Sequence, residues 1–133
     1  MVNKSPDAWQ RFDPGEREKL AKMVCRAMAR WQISEEVQCR LLGLSPRSNA
    51  VLARYRRGVP VPDKSDRLHR AVSILAIYRC LASLYAHNPD LACRWPTMPN
   101  QGLNMQTPME VMIGDGITGI GRIESYVEEM VGG

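Results

Sequence analysis

Capping residues, prolines and glycines cut this sequence at short intervals into segments whose apolar residues recur every three or four positions. Extended alternation of apolar and polar residues is missing throughout, so the pattern leaves little room for strands and predicts an all-α fold, a small helical bundle. Asp13 followed by Pro14 is a helix start, with Leu20, Val24, Ala27, Met28 and Trp31 marking one face of a helix over 14–31. Ser34 opens a second helix that ends at Gly43, and Ser45 with Pro46 opens a third that ends at Gly58. The two prolines within 59–62 form a linker. Ser65 then caps the longest segment, 65–86, whose stripe of Leu68, Ala71, Val72, Leu75, Tyr78, Leu81 and Tyr85 makes it the central helix. Asn88 and Pro89 start a short helix carrying Leu91, Ala92 and Trp95, and a loop spans 96–104. Thr107, Pro108 and Glu110 form a capping box, and a last helix presents Ile117, Ile120, Ile123, Val127 and Met130 on one side.

With 133 residues, 44% of them hydrophobic, the chain has room for one compact domain or two very small ones sharing a core. The expected division is a loosely ordered arm over 1–13, a region over 14–62 and a second unit over 63–133. No stretch approaches the roughly 18 apolar residues of a membrane span, and the polar start lacks the apolar centre of a signal peptide, so a soluble cytoplasmic protein is expected. In that setting Cys25, Cys39, Cys80 and Cys93 read as small hydrophobes, and His69 and His87 have no ligand partner at helical spacing, so no metal is expected.

The net charge of +4 is unevenly distributed. From Met1 to Asp66 there are 13 Lys and Arg against 8 Asp and Glu, whereas from Arg67 onward there are 5 against 6. Between residues 40 and 64, Arg40, Arg47, Arg54, Arg56, Arg57 and Lys64 face only Asp63. Clustering of this kind is what a phosphate-binding face needs, although a solvated basic surface would look the same. The segment 34–58 packs helix, Gly43-Leu44-Ser45 corner and helix into the arrangement of a helix-turn-helix; a plain helical hairpin is the alternative. In the first reading Arg47, Ser48 and Asn49 occupy the exposed first turns of the second helix and read base edges, while Arg54, Arg56 and Arg57 grip phosphates.

Residues 114–119, Gly-Asp-Gly-Ile-Thr-Gly, match the dinucleotide glycine fingerprint in letters only. That fingerprint must follow a strand, and here helix-start chemistry precedes it, so Gly116 and Gly119 are expected to permit a sharp turn and close helix packing. No nucleophile, base or phosphate-cradling loop assembles into a catalytic set, so neither an enzyme nor a bound cofactor is expected. Met98, Met105, Met109 and Met112 fall close together, as an adaptable contact surface would need or as core filling would produce.

The C-terminal half carries Asn88-Pro89-Asp90, Ala92, Trp95, Pro99-Asn100, Thr107-Pro108-Met109-Glu110, Gly116, Gly119 and Tyr126-Val127. With Ser65-Asp66-Arg67-Leu68 and Ile77-Tyr78-Arg79 upstream, it resembles the toxin-binding domain of Xre/MbcA/ParS-type antitoxins, preceded by an Xre-type helix-turn-helix. The resemblance covers about residues 30–133. It implies an antitoxin that binds and neutralises a RES-domain toxin acting on NAD, is encoded beside it, and represses its own operon as a homodimer within a larger toxin–antitoxin complex. The implied toxin-binding residues are Met109, Met112, Glu124, Tyr126, Glu128, Glu129, Met130 and Gly133, with Trp95, Pro108, Gly116 and Gly119 structural. In such a complex the acidic end of the last helix would pair with arginines of the toxin's dinucleotide pocket. Where the family commonly has Arg, two residues before Tyr126, this chain has Glu124. The competing class is a stand-alone helix-turn-helix regulator whose C-terminal half only dimerises.

Overall fold

A computed structural model describes residues 12–133, so most of the arm expected over 1–13 lies outside the described residues. Among them are seven α-helices, α1 Pro14–Arg30, α2 Glu35–Leu41, α3 Asn49–Arg56, α4 Asp66–Leu84, α5 Pro89–Arg94, α6 Pro108–Gly114 and α7 Gly116–Gly132, and no strand. Single 3₁₀ turns at Trp95–Thr97 and Gln101–Leu103 occupy the expected loop between α5 and α6.

Local chemistry explains most of the helix starts. At α1 the Glu16 amide donates to Asp13 Oδ1 at 2.8 Å and the Asp13 amide donates to Glu16 Oε1 at 3.0 Å, a complete capping box with Pro14 in the first turn. The Val37 amide donates to Ser34 Oγ at α2, the Leu68 amide to Ser65 Oγ at α4, and the Leu91 amide to Asn88 Oδ1 at α5. At α6 a second capping box joins Thr107 and Glu110.

The third helix departs from expectation. It begins at Asn49, not at Pro46, because residues 45–48 close a turn of their own: the Ser48 amide donates to the Ser45 carbonyl at 3.1 Å, and the two serine hydroxyls share a hydrogen bond of 2.9 Å. Pro46 suits the second position of such a turn as well as it suits a helix start, and short hydroxyl side chains favour the turn. Arg47 and Ser48 therefore precede the helix and do not form its first turn.

Both corners around α3 use a glycine with positive φ. At Gly43 (φ +75) the Leu44 amide donates to the Cys39 carbonyl and the Gly43 amide to the Arg40 carbonyl. At Gly58 (φ +94) the Val59 amide returns to Arg54 and the Gly58 amide to Tyr55. These are paired-bond C-terminal caps that an L side chain would strain. The linker then runs back along α1, where Arg17 donates to the Val61 carbonyl at 3.1 Å and Val61 is buried.

α4 is enclosed on more sides than a single stripe requires. Ser73, Ile74 and Ile77 are buried along with Leu68, Ala71, Leu75 and Leu81, because α1 packs against one side and α7 against another. One contiguous core runs from Leu20 to Val127 through this helix. Only Asp115 separates α6 from α7, and a Cβ at Gly119 would collide with the Val111 carbonyl oxygen, so the two helices approach at a point only glycine fits.

Candidate nucleic-acid and partner interfaces

α3 turns Leu52 and Tyr55 into the core, with Val51 half-buried beside them. At 3.6 residues per turn the opposite side is formed by Asn49, Ala50, Ala53, Arg54 and Arg57. Asn49, Arg54 and Arg57 are exposed on it, separated by two small alanines that leave the helix surface low. Arg47 is exposed just before the helix, and Ser48 is half-buried with its hydroxyl engaged by Ser45. Arg56 lies on a flank of α3, where its guanidinium meets Glu35 Oε2 of α2 at 3.0 Å. Its charge is thus partly neutralised, and its role is to tie α2 to α3. Arg40, also expected to contribute, pairs with Glu36 at 3.5 Å. Of the six residues expected to meet DNA, Asn49, Arg54 and Arg57 share one exposed helix face, Arg47 stands at its N-terminal edge, and Ser48 and Arg56 are turned to local contacts.

The C-terminal candidates separate into buried and exposed sets. Met109 and Met112 are core residues, 6% and 1% exposed, so they fill space between α6 and its neighbours and offer little surface. Met109 lines a groove of about 480 Å³ with Ile33, Val37 and Ile113. Met105, by contrast, is 61% exposed. Tyr126 is half-buried and stacked on the buried Trp95, ring centroids 6.2 Å apart, and its hydroxyl donates to Asn100 Oδ1 at 3.2 Å. Asn100 Oδ1 also accepts from the Gly102 amide at 2.9 Å. Trp95, Asn100 and Tyr126 together fasten the 3₁₀ segment onto α7, a role for Tyr126 that its sequence position does not reveal.

Tyr126 and Glu129 line one groove of about 560 Å³ with Thr118, Gly121, Arg122 and Leu103. Glu129 and Gly133 are exposed, Glu124 and Glu128 half-buried, and Met130 packs partly against the core. Pro108 is buried at the start of α6, and Gly116 takes φ +60 at the α6–α7 corner.

Two buried thiols bear on chemistry. Burial pushes Cys25 up to about 11, with Arg56 opposing and Cys39 adding to the rise, and burial also raises Cys39. Neither is a thiolate nucleophile near neutral pH. Among the described residues no cluster of His, Cys, Asp and Glu stands close enough to hold a metal ion, and no helix is long and apolar enough to cross a membrane. No family model and no characterised protein matches the sequence.

Proposed function

We propose that this chain is a DNA-binding antitoxin: α2, the 42–48 corner and α3 act as the helix-turn-helix that sets α3 on operator DNA, and the α4–α7 unit holds a RES-domain toxin that acts on NAD. The observation that carries the DNA half is the exposed face of α3, where Asn49, Arg54 and Arg57 flank two alanines with Arg47 at the edge. Asn suits the adenine edge, Arg the guanine edge or a phosphate, and small residues between them permit close approach to the groove. The toxin half rests on the resemblance, over about residues 30–133, to antitoxins whose C-terminal half is a toxin-binding domain.

A second reading, a stand-alone regulator, draws on the burial of Met109 and Met112 and the engagement of Tyr126 with Trp95 and Asn100. These leave the α7 edge, with Glu124, Glu128, Glu129, Met130 and Gly133, as the remaining partner surface among the expected residues. Co-expression with the product of the adjacent reading frame separates the two readings. Growth rescue with co-purification is expected of the antitoxin, and growth arrest undiminished by this chain would sink it.

For the DNA half, mobility shifts on the chain's own promoter are expected to show two classes of variant. Asn49→Ala, by removing a base-reading side chain, should cost about 1 to 3 kcal/mol and relax sequence preference, whereas Arg57→Ala should weaken all duplexes alike. Unchanged binding in both would remove α3 from the interface.

A further inference from the structure

We infer that Lys22, on the outer side of α1, binds phosphate, so that the polyanion track of α3 continues across the Gly58 corner onto α1. This rests on the nucleic-acid reading of α3 and adds to it a residue remote in sequence from the basic run 47–57. The geometric observation is the corner itself. A Cβ built on Gly58 would stand 2.7 Å from Lys22 Cε and 3.5 Å from its Nζ, so the lysine side chain lies along the backbone immediately after Arg57. The absence of a side chain at Gly58, which its φ of +94 already favours, leaves the space the lysine stem occupies.

The electrostatics point the same way. Arg54 and Arg57 are exposed at the C-terminal end of α3, Lys22 lies along the Gly58 backbone that follows it, and among the described residues no ion pair joins any of the three to a carboxylate. On α2, Glu35 is committed to Arg56 and Glu36 to Arg40. Glu18, one turn before Lys22, is exposed and makes no ion pair with it. Arg26, one turn further along α1, is exposed and adjoins Lys22 at the i, i+4 spacing. Neighbouring cations that form no ion pair repel one another weakly in water, and a polyanion reverses the sign of that interaction while releasing its own condensed counterions. A run of cations on two helices suits a continuous phosphate backbone better than a single small anion, which one or two of them would satisfy.

The test is the salt dependence of binding to a mixed-sequence DNA duplex, followed by fluorescence anisotropy. Removing one phosphate-binding cation should lower the slope of log Kobs against log salt by about 0.9. Lys22→Gln is expected to lower it by that amount, Lys22→Arg to restore it, and Arg94→Gln, whose guanidinium pairs with Asp90 on α5, to leave it unchanged. Circular dichroism confirms that the exposed substitutions leave the helices intact. A wild-type slope in Lys22→Gln, with a reduced slope in Arg57→Gln, overturns the role of Lys22 and leaves α3 as the DNA-binding element. No duplex binding by the unaltered chain at any salt concentration overturns both, as does preference for anionic phosphatidylserine vesicles over duplex.

Discussion

Gly119 and Gly121 are two residues apart on α7, yet their surroundings predict opposite consequences for the same substitution. In a helix interior alanine is favoured over glycine by about 1 kcal/mol. At Gly121 nothing lies within 4 Å of a new Cβ, so Gly121→Ala should gain about 0.5 to 1 kcal/mol. At Gly119 the new carbon meets the Val111 carbonyl, backbone that cannot swing aside, and the cost of forcing α6 and α7 apart is about 1 to 3 kcal/mol, which outweighs the propensity gain. Urea midpoints of the two variants should therefore move in opposite directions, and a rise for both would mean that the α6–α7 contact yields easily. Cys25 gives a second prediction at this scale. Its thiol value, near 9.0 when unconstrained, is raised to about 11 by burial, so its contribution is fully present below pH 9 and is lost as pH rises towards 11. The total loss is about 3 kcal/mol. Melting temperatures between about pH 8 and pH 11 should fall more steeply for the wild type than for Cys25→Ala, which lacks this thiol.

Helix α6 shows how much an element can depend on one residue outside it. It is only seven residues long, too short to persist on intrinsic propensity, yet Pro108, Met109, Val111 and Met112 are all buried. The Thr107–Glu110 capping box holds its first turn, so Thr107→Ala should cost about 1 kcal/mol and show as a lowered denaturation midpoint. Thr107→Ser, which keeps the hydroxyl acceptor, should recover most of that loss. The same logic explains what the sequence makes legible among the elements. Starts of α1, α2, α4, α5 and α6 are readable because a side chain within three residues satisfies the first free amides, and such chemistry is local. The start of α3 is not, since Ser48 makes no side-chain cap and Ser45-Pro46 mimics one while closing a turn. The charges of the candidate DNA face are equally readable, but their aim is not. That Arg56 turns to Glu35, while Arg54 and Arg57 turn outward, depends on how α2 lies beside α3, which no spacing in the chain encodes. Met109 and Met112 are core and Met105 is exposed for a similar reason: methionine suits either environment, and packing decides.

For the whole molecule, the division of the sequence into units over 14–62 and 63–133 makes a testable statement about cooperativity. Leu20, Val24 and Met28 of α1 belong to the same core as Leu68, Ile74 and Ile77 of α4, and that core continues to Ile120, Ile123 and Val127 of α7. A segment ending near residue 62 would expose the apolar side of α1 that α4 covers, and a segment beginning near 63 would expose the matching side of α4. Each half alone would thus lose part of the apolar burial that offsets its chain entropy, and small domains have little stability to spare. Unfolding should therefore be a single transition. Trp31 and Trp95, each nearly fully buried, sit on opposite sides of the proposed division and report on it separately. Trp31 lies 6.3 Å from Tyr78 of α4 between ring centroids, and Trp95 stacks on Tyr126 of α7. In variants retaining only Trp31 or only Trp95, the fluorescence midpoint in urea should coincide with the circular dichroism midpoint of the same variant, as two-state behaviour requires. A Trp31 transition at lower urea than the helical signal would show that the 14–62 region opens independently, and docking of α3 on DNA would then be separable from the fold of the C-terminal unit. Coincidence would mean that any partner binding the folded α4–α7 region also stabilises α1–α3 against unfolding by mass action, through the core the two share.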